Sequence, residues 1–413
     1  MTLTARPTRP QLGAIAQLWR NVRVQRAIFQ LAFAVFIIWL VYILITNLTD
    51  ELAKIDLEAF PFVERSGDFP FVKVHLDFLG QRAGFGIKET SFGFDYSAND
   101  RYADAYVVGV LNMLRVALIG IVLATVLGLV AGIARLSPNW LVSKIATVYV
   151  ETFRNVPLLV QLIFWYTAVV LQAPPIGEAI HALGAIMSVK GVALPAANAT
   201  DGFGLWSVFL AVALVAAIGV WLNRARRQQR TGRASYPWWS AAGTFVVIAA
   251  GGFILAGTPL AIDRPQVEGT SYAGGVQISP EFAAVLIALV VYTGTFIAEI
   301  VRGSILAIPK GQTEAAAAVG LNPIQRLRFV ILPQALRIIM PPLTNQYLNL
   351  TKNSSLAVFV AYPDLFQVSR VTVNQTGQAV PIVILLLLTY LTMSLLTSLI
   401  MNVINSRLKV PSS

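Results

Sequence analysis

Long apolar segments alternate with polar segments along this chain. The first apolar segment, residues 28–46, has 19 residues without a charge. At 1.5 Å per residue it is about 28 Å long, enough to cross the hydrocarbon core of a bilayer. We therefore predict an all-α polytopic membrane protein with eight spans, at residues 28–46, 106–134, 156–173, 203–222, 238–257, 282–300, 338–362 and 380–404.

Composition and charge agree with this pattern. The chain is 56% hydrophobic and only 12% charged, with a mean hydropathy of +0.68 and no cysteine, so disulfide frameworks and thiolate metal sites are excluded. The polar segments on one predicted side hold 20 Lys and Arg, and those on the other side hold 9 together with 17 acids. The positive-inside rule therefore predicts that both termini are cytoplasmic. The net charge of +11 follows from this topology rather than from a nucleic-acid partner.

The spans divide into a core and additions. A five-span core is predicted in two parts, residues 106–173 and 281–413. Residues 174–280 are predicted as an insertion with two extra spans. Residues 1–46 add a cytoplasmic N-terminus and an anchor span, and the acid-rich residues 47–105 form an external segment.

Residues 311–333, on the predicted cytoplasmic side, have the pattern of a short helical hairpin. The run Ala315 to Ala318 favours a helix, and Gly320 is a common helix end. Asn322-Pro323 then favours a turn and a new helix, because proline fits a first helical turn. The small residues would let a partner approach closely. The alternative is an ordinary surface hairpin with no partner.

This hairpin resembles the EAA loop of bacterial ABC importer permeases. Glu314-Ala315-Ala316, Gly320 and the Leu332-Pro333 end fall at the spacing of that family, and Val330 stands where the family usually has isoleucine. Four further segments resemble the polar amino-acid permeases, at residues 151–161, 292–303, 332–337 and 352–356. The extra spans, the external segment and residues 133–137 resemble the larger general L-amino-acid permease subgroup.

The resemblance implies a fold, a function and partners. The fold would be that of a type I ABC importer, with a five-span core plus three extra spans. The chain would be the inner-membrane permease subunit of an ATP-driven, binding-protein-dependent importer of polar or general L-amino acids. Its partners would be cytoplasmic ATPase subunits, a second and different permease chain, and a periplasmic amino-acid-binding protein. The residues expected to couple to the ATPase are Glu314, Ala315, Ala316, Gly320, Asn322 and Pro323.

No enzyme is predicted in this chain. The sequence lacks the GxxxxGK[ST] phosphate-binding loop, so we expect no cofactor here and place ATP and magnesium in the partner ATPase. The competing hypothesis is an eight-span secondary transporter or channel without an ATPase. A chain of carboxylates inside the membrane would favour it, and only Glu299 lies near a membrane edge.

The segment 338–362 is the least compatible with lipid. Its polar residues Asn345, Asn349 and Lys352 are expected to line a translocation pathway, because such groups normally face the bundle interior or water. The alternative is that they join packed helices. Pro341-Pro342 is expected to prevent regular helical hydrogen bonding. Weaker pathway candidates are Gln161, Tyr292 and Thr293.

Glu299 and Arg302 are three residues apart and are predicted to share a helix face. They either brace the base of the pathway beside the hairpin or form an interfacial ion pair that neutralises itself.

Overall fold

The computed structural model describes residues 76–232 and 234–408, together with the short pieces 35–36, 39, 63–65 and 72–74. The predicted anchor span therefore lies almost wholly outside the described residues. The chain divides into two units, residues 82–375 with 385–413 and residues 1–81 with 376–384. In the second unit, strands β1 (Val63–Arg65) and β2 (Val72–Val74) pair antiparallel.

Helices dominate the described part of the chain. They are α1 (Tyr102–Ala134), α2 (Trp140–Asn155), α3 (Leu158–Phe164), α4 (Phe203–Thr231), α5 (Pro237–Leu255), α6 (Pro280–Leu306), α7 (Lys310–Ala318), α8 (Pro323–Arg326), α9 (Leu332–Asn353), α10 (Leu365–Thr376) and α11 (Ala379–Leu408). Five of them, α1, α4, α5, α6 and α11, are long and apolar enough to cross a membrane. Two bent helix pairs raise the number of spans among the described residues to seven at most, so the total of eight stays a prediction.

Helices α1 and α6 form the most extensive helix contact of the larger unit, and glycine makes it possible. A Cβ atom placed on Gly128 would lie 2.5 Å from Cβ of Ile297, and one on Gly132 would lie 2.7 Å from the carbonyl oxygen of Ala298. The two glycines lie four residues apart and so share a face of α1. Small residues at this spacing let helix backbones approach closely where no hydrophobic force drives helices together.

The predicted span at residues 156–173 is not one straight helix. Helices α2 and α3 meet at an angle of 106° at the start of this span, and within it α3 keeps regular geometry only as far as Phe164. A π-turn at Trp165–Val169 and a 3-10 turn at Val170–Gln172 follow. Val156, the residue before Pro157, has extended backbone with ψ at 130°. A residue before proline is driven out of the helical region, and this explains the bend.

Helix α9 runs through Pro341 and Pro342 without a break, so the two prolines interrupt its hydrogen bonding as expected but do not end the helix. The helix has 22 residues, and the prolines remove only their own N–H donors. After α9, a 3-10 stretch at Ser354–Val360 ends the predicted span. Asp364 then begins α10, because its buried carboxylate accepts a hydrogen bond from the backbone N–H of Gln367 at 2.9 Å.

The insertion contains short strands, so the expectation of an all-α chain needs correction. They are β3 (Ile180–Ala182), β4 (Ala185–Ser188), β5 (Gly191–Leu194), β6 (Ala196–Ala199), β7 (Leu260–Asp263), β8 (Gln266–Glu268), β9 (Ser271–Ala273) and β10 (Val276–Ile278). One sheet has the antiparallel order β10-β5-β4-β3, and β6 pairs with β7. Segments before α4 and after α5 therefore pair with each other and close the base of the α4–α5 hairpin.

Candidate functional site

Helix α7 ends in a Schellman motif built on Gly320. The N–H of Gly320 donates to the carbonyl of Ala317 at 2.9 Å, and the N–H of Leu321 donates to the carbonyl of Ala316 at 3.1 Å. Gly320 has φ at +84°, a left-handed conformation that L side chains rarely adopt. The predicted helix end is therefore present at the predicted residue.

Helix α8 begins with a capping box. The N–H of Gln325 donates to Oδ1 of Asn322 at 2.9 Å, and the N–H of Asn322 donates to Oε1 of Gln325 at 3.0 Å. Pro323 occupies the first helical turn. A π-turn at Leu327–Ile331 joins α8 directly to α9. The hairpin formed by α7 and α8 is thus connected to the polar helix α9 by continuous helical backbone.

The outer surface of this hairpin combines apolar side chains with one carboxylate. Glu314 and Ala315 are exposed, whereas Ala316 is buried. Within the described residues Glu314 has no ion-pair partner. Val319 and Ile324 are each 76% exposed. The hairpin therefore exposes apolar side chains on both of its arms as well as a carboxylate.

Four charged side chains join the ends of three helices. Nη1 of Arg135, just after α1, lies 2.6 Å from Oε2 of Glu299 on α6, and Nη2 lies 3.3 Å from Oε1 of Glu151 on α2. Nη2 of Arg302 lies 2.5 Å from Oε1 of Glu299. The Arg135 side chain is only 11% exposed. Two positive and two negative charges therefore balance in a partly buried cluster near the start of the hairpin.

The contacts of this four-residue cluster bear on the predicted pairing of Glu299 and Arg302. Glu299 and Arg302 share a helix face as predicted. They do not neutralise each other alone, because Glu299 also pairs with Arg135. Sequence reasoning missed Arg135 and Glu151 as members of the cluster. The only signal was a pair of charges next to predicted span ends, and spacing along the sequence cannot connect positions 164 residues apart.

Three predicted pathway residues lie together on α9. Asn345, Asn349 and Lys352 are all exposed, at spacings of four and three residues. With 3.6 residues per turn they fall within about 60° of one another around the helix. The buried side of the same helix includes Leu343 and Leu350. Helix α9 therefore presents a polar stripe that no other described residue covers.

The other pathway candidates lie elsewhere. Gln161 is buried in the bend, where its Nε2 donates to the carbonyls of Phe153 at 2.7 Å and Val156 at 3.0 Å. Thr293 is buried inside the helix bundle. The ring of Tyr292 packs edge-on against Phe296 with 4.9 Å between centroids. The structure does not bring these three residues onto the polar stripe of α9.

Residues 82–101 are fixed to the bundle by Asn112 on α1. Asn112 is fully buried, and its Nδ2 donates to the carbonyls of Glu89 at 2.9 Å and Pro363 at 2.8 Å. The hydroxyl of Ser91 donates to Oδ1 of Asn112 at 2.6 Å. One side chain therefore joins three segments of the chain, and its polar atoms are satisfied.

A second contact fixes the same segment through charge. Nη1 of Arg115 lies 2.5 Å from Oε1 of Glu89, and the Arg115 guanidinium lies 4.2 Å from the centroid of the Phe282 ring. The hydroxyl of Ser279 donates to the other oxygen of Glu89. Ser279 also caps α6. Glu89 thus connects the segment to two long helices.

The hydroxyl of Tyr96 makes a hydrogen bond within residues 82–101. Burial raises the pKa of Tyr96 to about 12, with a further contribution from the Asp100 and Asp104 carboxylates. The phenol therefore stays protonated near neutral pH and donates a hydrogen bond to the carbonyl of Phe85 at 2.9 Å.

The chain matches the family described as "Binding-protein-dependent transport system inner membrane component" over residues 246–410. It is 44% identical over 332 residues to the General L-amino acid transport system permease protein AapQ of Rhizobium johnstonii, covering 80% of this chain and 82% of that one. It is 43% identical over 336 residues to the putative amino-acid ABC transporter permease protein YhdX of Escherichia coli, covering 81% and 85%.

A third relative aligns over nearly its whole length. It is the Glutamate/glutamine/aspartate/asparagine transport system permease protein BztB of Rhodobacter capsulatus, 37% identical over 425 aligned positions that cover 95% of this chain and 94% of that one. A solved structure titled "Crystal structure of an amino acid ABC transporter with histidines" covers 74% of this chain and 95% of that one at 19% identity. The TM-score of the two structures is 0.45.

Proposed function

The chain belongs to the amino-acid ABC transporter permease family, and from this premise we propose that it carries polar L-amino acids into the cell across a bacterial inner membrane. As a permease subunit it is not itself an enzyme, and ATP is hydrolysed by a partner subunit. The similarity to permeases named for general L-amino acid transport and for transport of glutamate, glutamine, aspartate and asparagine supports this choice of substrate.

The α7–α8 hairpin is the proposed contact with the ATPase, and its geometry carries the proposal. The Schellman motif at Gly320 and the capping box at Asn322 fix the hairpin. Glu314, Ala315, Val319 and Ile324 are all exposed on the hairpin. Movement of a bound ATPase would pass through the continuous helical backbone of α8 to α9.

The polar stripe of α9 is the proposed wall of the pathway. Asparagine and lysine side chains facing lipid would be strongly unfavourable, with a charge at the bilayer centre costing about 2.5–3.5 kcal/mol on insertion scales. An exposed stripe of Asn345, Asn349 and Lys352 therefore requires water or a second protein surface opposite it. A second permease chain, different in sequence, would supply that surface and complete the pathway.

The proposed orientation places the hairpin and both termini in the cytoplasm. The excess of Lys and Arg in the segments on that side supports it. A periplasmic binding protein would then deliver amino acid to the opposite side. ATP binding would favour the outward-open state because ATP binds the closed ATPase pair more tightly than the open pair.

Purification of the tagged full-length chain in mild detergent, followed by native mass spectrometry, tests the assembly. We expect complexes that contain ATPase subunits and a second, different permease chain. Glu314→Lys should remove the ATPase and leave the permease pair, because the substitution reverses the charge of the one carboxylate on α7. A chain that purifies alone and transports in liposomes without ATP would instead be a secondary transporter.

A further inference from the structure

Helix α4 extends beyond the length that a bilayer needs, and its extension is strongly basic. Its 29 residues are about 43 Å long, compared with about 30 Å of hydrocarbon. The apolar part ends near residue 222, and four arginines follow, Arg224, Arg226, Arg227 and Arg230. All four are exposed, and residues 202–257 contain no acid that could pair with them.

The arginines face away from the partner helix. Trp221 on α4 contacts Trp238 on α5, with 5.5 Å between ring centroids. With 3.6 residues per turn, the four arginines occupy an arc of about 160° whose centre points about 140° away from Trp221. The arginines therefore lie mainly on the side of α4 away from its aromatic contact with α5.

Exposed aromatic rings begin α5, a few residues after the basic end of α4. Tyr236, Trp238 and Trp239 at the start of α5 are 67%, 73% and 80% exposed. They line an open cavity of about 250 Å³ together with Gln228 from the basic part of α4. Tryptophan and tyrosine are enriched at the level of lipid headgroups, where their rings meet both apolar and polar surroundings.

The hairpin is also accessible to lipid. Helices α4 and α5 pack on each other far more extensively than on any other described helix. Their apolar residues, among them Val215, Val247 and Ile254, are more than two thirds exposed. Lipid can therefore surround the hairpin and reach the basic surface from the side.

We propose that the turn of the α4–α5 hairpin is a binding site for the headgroups of anionic phospholipids. The guanidinium groups would hold the phosphates, since arginine donates paired hydrogen bonds to phosphate oxygens. Trp238 and Trp239 would contact the glycerol and the upper acyl chains. The positive-inside rule alone would explain why this turn is positively charged. A specific lipid-binding site would in addition bind anionic lipids in preference to neutral ones. The proposal depends only on α4 and α5 spanning the membrane and not on the transported solute.

Native mass spectrometry of the full-length complex, titrated with phosphatidylglycerol or phosphatidylcholine of the same acyl chains, tests the site. We expect at least about tenfold preference for phosphatidylglycerol, falling as salt rises. Replacing the four arginines by glutamine should remove the preference, and replacing them by lysine should keep part of it. Arg264→Gln, a charge change outside the hairpin, is the matched control and should keep it fully.

Two double variants test the proposal even if the variant with all four arginines replaced fails to insert into the membrane. Arg224→Gln with Arg227→Gln, and Arg226→Gln with Arg230→Gln, each leave positive charge on the turn and should each lower the preference. Equal binding of the two lipids, or an unchanged preference in all glutamine variants, would overturn the proposal. Displacement of phosphatidylglycerol by glycerol phosphate at equal concentration would also overturn it, because the site would then bind soluble phosphate rather than lipid.

Discussion

Nη1 of Arg135 lies 2.6 Å from Oε2 of Glu299, although the two residues are 164 positions apart. The contact joins the end of α1 to α6 at the level where α6 approaches the hairpin. Arg302 shares the same carboxylate, and Glu151 of α2 binds the other side of Arg135. Glu299 therefore contacts two guanidinium groups, and its loss would leave Arg302 without its carboxylate and Arg135 with Glu151 alone.

We expect Glu299→Gln to lower the unfolding free energy of the purified chain by about 1–3 kcal/mol, because Arg302 loses its carboxylate and Arg135 keeps only the longer contact to Glu151. Thermal unfolding in detergent measures the change. Arg135→Gln should also destabilise the chain. The double variant should cost less than the sum of the two, since the groups interact directly.

Lys144→Gln provides the control for this cycle. Lys144 is exposed on α2, the helix that carries Glu151, and its replacement should change stability by less than about 0.5 kcal/mol. Strictly additive effects of Arg135→Gln and Glu299→Gln would mean that the contact contributes nothing to the fold.

The turn at Gly320 is expected to be essential for transport. Gly320→Pro fixes φ near −65°, whereas the Schellman motif requires +84°. We expect uptake to fall to background while membrane insertion stays normal. Gly311→Ala is the matched control, because Gly311 lies in α7 with open space around its Cα, and it should leave uptake intact. Normal uptake by Gly320→Pro would exclude a coupling role for the hairpin.

The polar stripe of α9 is expected to be in contact with water. Because the chain has no cysteine, single substitutions Asn345→Cys, Asn349→Cys and Lys352→Cys need no background changes. In the assembled complex each should react with a small charged thiol reagent. Leu391→Cys, exposed on α11 toward predicted lipid, should not react. Labelling of Leu391→Cys but none of the α9 sites would place the pathway elsewhere.

The close crossing of α1 and α6 is expected to tolerate no side chain. Gly128→Ala should destabilise the purified chain by about 1–3 kcal/mol, because the new Cβ would overlap Ile297. Gly219→Ala on α4 is the control, since a Cβ added there would meet nothing within 4 Å, and it should be neutral or slightly stabilising. Thermal unfolding in detergent compares the stabilities of the two variants. If Gly128→Ala left the stability unchanged, α1 and α6 would be less closely packed than described.

The hairpin could be predicted residue by residue because its signals are local. The alanine run, the glycine and the Asn-Pro pair each act within one helical turn, and the Schellman motif and capping box form where they predict. The long spans α1, α4, α5, α6 and α11 could be predicted because apolar length alone decides them.

Features that depend on distant contacts could not be predicted. The angle between α2 and α3 leaves no trace in hydrophobicity, although Pro157 marked the place. The strands of the insertion are three or four residues long, and two of their pairings, β5 with β10 and β6 with β7, join segments on opposite sides of the α4–α5 hairpin in the sequence. Gln161 could be recognised as a polar residue in an apolar segment, but its carbonyl partners in the bend depend on the fold.

Uptake of a labelled L-amino acid by liposomes containing the complete complex tests the central claim most directly. The chain, its permease partner and the ATPase are reconstituted with the binding protein on one side and ATP on the other. We predict uptake that requires ATP on the side of the α7–α8 hairpin and disappears with Gly320→Pro. Uptake that proceeds without ATP, or that follows an ion gradient with this chain alone, would contradict the account.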